Sequence, residues 1–489
     1  MSTAAPSRPR TRATVIEQRP LRNPDIGSPQ VMTRRGWWLV VLNFLVPGSA
    51  QVLAGDRRLG RFGLGATLAL WTVLVLVALG AVLMPSQTFA IATGAFIPDF
   101  LAWLRWVPLT LVQVAAVGYA VLWIVLTIDT LRLVRLVRTG RLARFAIAVV
   151  SIVLLVLSGS GAAWAAQAAG TTRDAFADLF GQSAAVVPPS DGYYNILLLG
   201  ADSGEGRDSM RYDSISVVSI NAETGATTIT GIPRDMPHFP FAPGPMQDKY
   251  PNGHQGVANA TCGWGSGINQ LRTEVEVCQD GDALYPDARS AGSTPAVEAT
   301  KDAAEGILGI QIPYYVFIDM HGFAALVDAL GGVDITVEQR LPKGGGPAYS
   351  GQPAEDWAIG WIEAGPQHMD GDTAQWYARS RYTTSDFDRM KRQRVLQEAI
   401  LAQSTPQNVL TRFQDVAAAG TAIVETDLPQ GLIAPTLVDL ALKAKEQPVT
   451  TLELTPEGGI DEYSPDYAYV QQLVQATLHP PAATEDPAS

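Results

Sequence analysis

Hydrophobic and polar positions divide the 489 residues into two unlike halves. In the first third, charge-free apolar runs dominate, and residues 62–84, 107–128 and 145–166 are each long enough to cross a bilayer as a helix. A shorter apolar stretch, 37–54, is broken by Pro47-Gly48 and flanked by arginines. It predicts a re-entrant or interfacial hairpin with both ends in the cytoplasm, with a short, broken span as the alternative. From residue 192 the pattern becomes that of a soluble domain. Short apolar runs at 196–199, 214–220, 226–232, 314–318 and 333–337 read as strands, and 294–308, 323–330, 373–378 and 389–402 read as helices. Strand, helix, strand across 314–337 implies a crossover unit, hence an α/β fold with helices on both faces of the sheet, preceded by an all-α membrane region.

Charge orients this arrangement. The tail 1–36 is rich in Arg, Pro and Ser and cannot bury a core, so disorder is expected. Arg132, Arg135, Arg138, Arg141 and Arg144 recur at three-residue intervals between the last two apolar spans. The positive-inside rule places that loop and the tail in the cytoplasm, and three crossings put everything after 167 outside the cell membrane. We take the basic loop as a topological mark in preference to a binding site for anionic lipid. The membrane region 37–167 then leads through a polar linker, 168–191, to an extracytoplasmic domain, 192–479, and a disordered tail, 480–489. A net charge of −12 argues against general nucleic-acid binding. Cys262 and Cys278 are too few for a disulfide scaffold or a cysteine-rich zinc site. In an exported segment they are expected to form one bridge, contributing about 3 kcal/mol.

Two polar clusters interrupt the soluble pattern. The first three strands deliver Asp202, Arg211, Asp213, Arg234 and Asp235 to their ends, where α/β sheets keep their chemistry. Carboxylates there suit a hard divalent cation, and arginines offer forks for phosphate oxygens. A surface ion pair beside a tight turn explains Arg211 and Asp213 equally well by spacing alone. In the second cluster Asp370-Gly371-Asp372 opens a helix, with Asp372 expected as its N-cap and Arg379 and Arg381 at its end. A polar loop leads to the next helix, which carries Arg389, Arg392 and Gln393 in its first turns. Cations there oppose the helix dipole, so an anionic partner explains them better than solvent does. Asp386 and Asp388 are read as caps of that helix. Nothing in the spacing shows that the two clusters meet.

The segments LLLGADSGEGRDSMRYD, IPRDM, YYVFIDMHGFAALVDALGGVDITV and MDGDTAQWYARSRYTTSDFDRMKRQ resemble, in this order, the LytR-CpsA-Psr family of bacterial cell-wall proteins, over residues 194–397. The membrane third lies outside the resemblance. The resemblance implies a central mixed sheet flanked by helices, and a phosphotransferase that moves a glycopolymer from a polyprenyl-pyrophosphate carrier to peptidoglycan through a phosphodiester. Asp202 and Asp213 would hold Mg2+ or Mn2+. Arg211, Arg234, Arg379, Arg381, Arg389 and Gln393 would bind the pyrophosphate, with Asp235 also in the catalytic set and the lipid in an apolar tunnel. The general base stays open between Asp202 and Asp235. Departures from the family pattern are the segment 248–252, which reads Asp-Lys-Tyr-Pro-Asn, and Asp388, where glycine is common. Two other functions fit the same residues: hydrolysis of polyprenyl pyrophosphates, and non-catalytic sensing of lipid-linked precursors.

Overall fold

The computed structural model describes residues 21–97, 99–180, 186–201, 211–256, 267–380, 382–403, 424–444 and 447–480. Contacts divide the chain into two units: one runs through Thr88 and over Val107–Gly170, the other comprises Phe89–Trp106 and everything from Thr171. Of the predicted tails 1–36 and 480–489, residues 1–20 and 481–489 lie outside the described residues.

In the first unit, helix α1 (Pro29–Leu45) starts inside the stretch expected to be disordered. Local chemistry accounts for the difference: Ser28 caps the helix at Val31 N, and Pro29 brings a preset φ to its first turn. Arg35 then donates from Nε to Leu21 O and from Nη1 to Leu133 O, both at 2.6 Å. Gly48, at φ +94°, turns the chain into α2 (Ser49–Ala54); a Cβ here would lie 2.3 Å from Leu64 N. Next come α3 (Arg57–Leu83), α4 (Val107–Val134) and α5 (Arg141–Phe180). The turn between α1 and α2 rests on Thr67, whose Oγ1 donates to Pro47 O at 3.1 Å. Asn43 donates to Thr127 Oγ1 at 3.1 Å and Gln51 to Leu126 O at 2.8 Å, which satisfies amide donors that hydrocarbon would leave unmet. Gly55, after α2, lies against the Leu133 side chain, where a Cβ would come 2.7 Å from its Cδ1. Among the described residues three helices, Arg57–Leu83, Val107–Arg138 and Arg141–Asp174, are long and apolar enough to cross a membrane. α5 continues to Phe180, through part of the stretch expected to be a linker, because Ala168, Ala169, Ala175 and Ala177 favour helix.

The second unit is built on ten strands: β1 (Tyr193–Ala201), β2 (Tyr212–Asn221), β3 (Thr227–Ile232), β4 (Tyr314–Asp319), β5 (Val333–Val337), β6 (Leu341–Lys343), β7 (Gly360–Ile362), β8 (Gly365–Met369), β9 (Val424–Thr426) and β10 (Thr450–Glu453). Six of them form a mixed sheet in the order β10-β3-β2-β1-β4-β9. β1 is antiparallel to β2, with Leu197 opposite Val217, and parallel to β4, with Leu199 opposite Phe317. The expected crossover from β4 to β5 is not formed; β5 instead pairs with β8 in a separate two-stranded sheet. Its strict alternation of buried and exposed residues explains why, since a strand with one wet face does not suit a sheet covered on both sides. The parallel connection runs from β1 to β4 and includes α6 (Pro295–Leu308).

Helices cover both faces of the main sheet. On one, Leu197, Leu199, Val217 and Phe317 pack with Val297 and Ile307 of α6 and with Val470 and Val474 of the terminal helix Tyr467–Leu478. On the other lie α7 (Met320–Leu330), α8 (Gly371–Arg379) and α9 (Asp386–Gln403). The cap of α8 is Asp370, which accepts from Thr373 N at 2.8 Å, and not the expected Asp372. Gly371 sets this earlier start: its N–H donates to Asp328 Oδ1 at 2.7 Å, and a Cβ would fall 2.1 Å from Ala324 O, so α8 closes directly onto α7. Gly371→Ala should therefore separate these helices and cost about 1–3 kcal/mol, read as a lower thermal midpoint of the detergent-solubilised chain.

Candidate active site

The site forms where one end of the sheet meets the start of α9. β3 closes on Pro233, and its last turn projects Arg234 beside the first residues of β2. Helix α9 is held along β2 by a polar seam. Arg394 Nη1 donates to Gln397 Oε1 at 2.6 Å, Arg394 Nη2 to Ser214 Oγ at 3.4 Å, and Gln397 Nε2 to Ser216 Oγ at 3.3 Å. Buried Arg394 also faces Glu453 of β10 at 3.4 Å, and Gly231 leaves room for that carboxylate, since a Cβ would lie 2.3 Å from it. Burial raises Glu453 above its ordinary pKa, with Arg394 opposing.

This seam brings the two polar clusters together. The Arg234 guanidinium pairs with Asp213 at the start of β2, with Asp235 at 3.3 Å and with Asp386 of α9 at 3.4 Å. Burial alone would lower the Arg234 pKa, but Asp386, Asp213 and Asp235 together raise it. Asp386 also accepts from Arg389 Nη2 at 3.0 Å, while Asn269 Nδ2 donates to Asp235 Oδ1 at 3.2 Å. Asp235 is the open member of the set, its side chain 68 % exposed against 37 % for Asp213 and 36 % for Asp386. Asp386 was read as a cap, yet the helix is capped by Ser385 and Asp388 in a reciprocal pair, with Asp388 N to Ser385 Oγ at 3.0 Å and Ser385 N to Asp388 Oδ2 at 2.8 Å. Asn269 carries no sequence signal; its backbone N–H binds Arg234 O at 3.0 Å, which seats it there.

The remaining predicted residues are distributed as follows. Arg211 precedes Tyr212 at the mouth of β2, and Arg379 ends α8 with its guanidinium 5.3 Å from the Trp376 ring. Gln393 donates to Ala378 O at 3.5 Å, and its buried Oε1 has no hydrogen-bond partner among the described residues. Arg392 is not an anion ligand: it donates to Tyr377 O at 3.1 Å, to Ser380 O and to Thr384 Oγ1 at 3.2 Å, so the turn after α8 supplies its acceptors. Asp202, Arg381 and Cys262 lie outside the described residues. Beside Gln393 an apolar cavity of about 200 Å3 opens between sheet and helices, lined by Leu198, Val316, Phe323, Leu326, Ile400 and Leu401 among others. Ser214, next in the chain to Asp213, and Gln393 of α9 are among the polar residues on its wall, so the cavity and the charged cluster share β2 and α9.

For a divalent cation the fit is partial. Asp213 offers one hard oxygen ligand, but the described carboxylates converge on a guanidinium, and among the described residues no three His, Cys, Asp or Glu side chains group to hold an ion.

The LytR_cpsA_psr family model matches residues 160–238 and 288–479, more than half of the chain, and the protein belongs to this family. The unmatched interval, 239–287, holds both cysteines. The chain is similar to the polyisoprenyl-teichoic acid–peptidoglycan teichoic acid transferase TagU of Bacillus cereus (strain AH820), 27% identical over 238 residues, which is 48% of this chain and 61% of that protein. It is 29% identical over 237 residues to TagU of Halalkalibacterium halodurans, with the same shares covered. The chain therefore spans about three fifths of the length of these relatives. Among solved structures it is similar to TagV of B. subtilis (22% identity, 58% of this chain, 97% of that one, TM-score 0.38) and to protein gbs0355 of Streptococcus agalactiae (22% identity, 58% and 88%, TM-score 0.40).

The Ser385–Asp388 cap fixes the helix start that carries Asp386. Hydrogen bonds from Ser385 hold the Asp388 carboxyl below its ordinary pKa, so this stabilisation is present above the unfolded value of about 4 and lost as pH falls through the lower folded value. Ser385→Ala should cost about 1 kcal/mol at neutral pH. In urea titrations the gap between the two proteins should narrow below about pH 4.

Proposed function

We propose that the protein transfers a glycopolymer from a polyprenyl-pyrophosphate carrier to peptidoglycan, leaving a phosphodiester link. The observation that carries this reading is the Arg234 guanidinium, fixed by Asp213, Asp235 and Asp386 at the start of α9, the helix whose later residues line an apolar cavity in the same unit. A diphosphate bearing a hydrocarbon tail matches that pairing. Arg211, Arg234, Arg379, Arg381, Arg389 and Gln393 bind the diphosphate oxygens, and the cavity takes the first part of the prenyl chain. Donors held in place before the substrate arrives stabilise charge developing in the transition state without reorganising. The acceptor hydroxyl oxygen bonds to the glycan-side phosphorus, the phosphoanhydride bond breaks, and polyprenyl phosphate leaves. The hydroxyl proton passes to Asp235, the carboxylate of the set most open to an incoming acceptor.

Asp202 and Asp213 hold Mg2+ or Mn2+, which when bound offsets diphosphate charge. The three apolar helices cross the cell membrane, with the N-terminus and the arginine loop cytoplasmic and the second unit outside. A Cys262–Cys278 bridge belongs to the same reading, as expected for two cysteines in an exported segment.

The test uses the full chain in liposomes with Mg2+, a polyprenyl-pyrophosphate-linked glycan and peptidoglycan. Glycan should become covalently attached to peptidoglycan. Arg379→Ala should slow transfer about a hundredfold or more, as expected for loss of a preorganised charged donor. Asp235→Asn should slow transfer while carrier binding persists. Unchanged transfer by both variants would refute the residue assignment, and phosphate release without acceptor would select hydrolysis instead.

A further inference from the structure

A cavity in the first unit has no part in this chemistry. It measures about 890 Å3 and lies between the N-terminal half of α1 and the start of α5, where Thr33 Oγ1 accepts from Gly140 N at 3.0 Å and fixes the two helices together. Its walls are mostly apolar, with Trp37, Trp38, Val41 and Leu142 prominent; Trp38 is 53 % and Leu142 88 % exposed. Arg34 and Arg141 line the same space, and no acidic side chain does among the described residues.

An apolar groove rimmed by two guanidiniums is complementary to a molecule with an anionic head and hydrocarbon chains. Free phosphate would leave the Trp38 and Leu142 faces in water, and a neutral lipid would leave the guanidiniums without an anion. The helices that frame the groove include one of the three of membrane-spanning length, which places such lipids within reach. We propose that this cavity is a binding site for one anionic phospholipid, its phosphate between Arg34 and Arg141 and its acyl chains against Trp38, Val41 and Leu142. The arginines then do more than mark topology: they tie the α1 and α5 ends to the anionic leaflet.

The full chain in nanodiscs of phosphatidylcholine, titrated with phosphatidylglycerol brominated on its acyl chains, tests this by quenching of tryptophan fluorescence. Quenching by the brominated anionic lipid should saturate at a low mole fraction, about thirtyfold below brominated phosphatidylcholine, each guanidinium contributing about fivefold. Arg34→Gln with Arg141→Gln should abolish that preference, Trp38→Phe should reduce the quenching amplitude, and excess inorganic phosphate should not displace the lipid. Arg58→Gln with Arg61→Gln, which changes net charge equally at arginines that do not line the cavity, should retain the preference. Equal quenching by the two lipids, persistence of the preference in the Arg34/Arg141 variant, or equal loss in the Arg58/Arg61 control would overturn the proposal.

Discussion

Arg234 is a single guanidinium answering three carboxylates that arrive from different places in the chain. Asp213 comes from the start of β2, Asp235 is its own neighbour, and Asp386 lies in the first turn of α9. A planar fork with five donors can serve such a set, whereas a lysine ammonium would not hold the same geometry. Burial works against the charge and the acids outweigh it, so Arg234 stays cationic. The interaction demands that β2, β3 and α9 keep their relative positions, and the rest of the second unit supplies that constraint. Arg394 with Glu453 and Gln397 with Ser216 fasten α9 to the sheet, while Gly371 lets α8 sit tightly on α7.

Helix α9 also joins two kinds of surface. Its first turns carry charge toward Arg234, and its later residues Leu396, Ile400 and Leu401 line the apolar cavity. The gradient along one helix matches the gradient along a prenyl diphosphate. A groove rimmed by Arg34 and Arg141 repeats the logic in the first unit, with hydrocarbon walls and cationic edges. In both places charge is kept beside an apolar surface without being buried alone, which avoids the desolvation cost of an isolated ion.

The arginines of α9 show how the protein resolves a local conflict. Cations near a helix N-terminus oppose its dipole. Arg392 is directed to the carbonyls of Tyr377 and Ser380 at the end of α8, where cations are favourable, and Arg394 is buried against Glu453. Arg389 shares Asp386 with Arg234 and so remains part of the site. Residues alike in sequence are therefore divided between holding the frame and joining the Arg234 cluster.

The sequence by itself determined the features set by local pattern: three membrane-length apolar helices, the four strands β1 to β4 of the six in the main sheet, helices over both its faces, and most residues of the two polar clusters. Hydrophobic period and chain punctuation act over a few residues and can be read directly. Only the tertiary structure decided that β5 leaves the main sheet, that Asp370 and not Asp372 starts α8, that Arg392 is structural, and that Asp386 and Asn269 join Arg234 and Asp235. These outcomes depend on contacts between residues far apart in the chain, Asp386 lying 152 positions from Arg234. No spacing rule records them, because the energy that selects each contact is defined only once the sheet and α9 are packed.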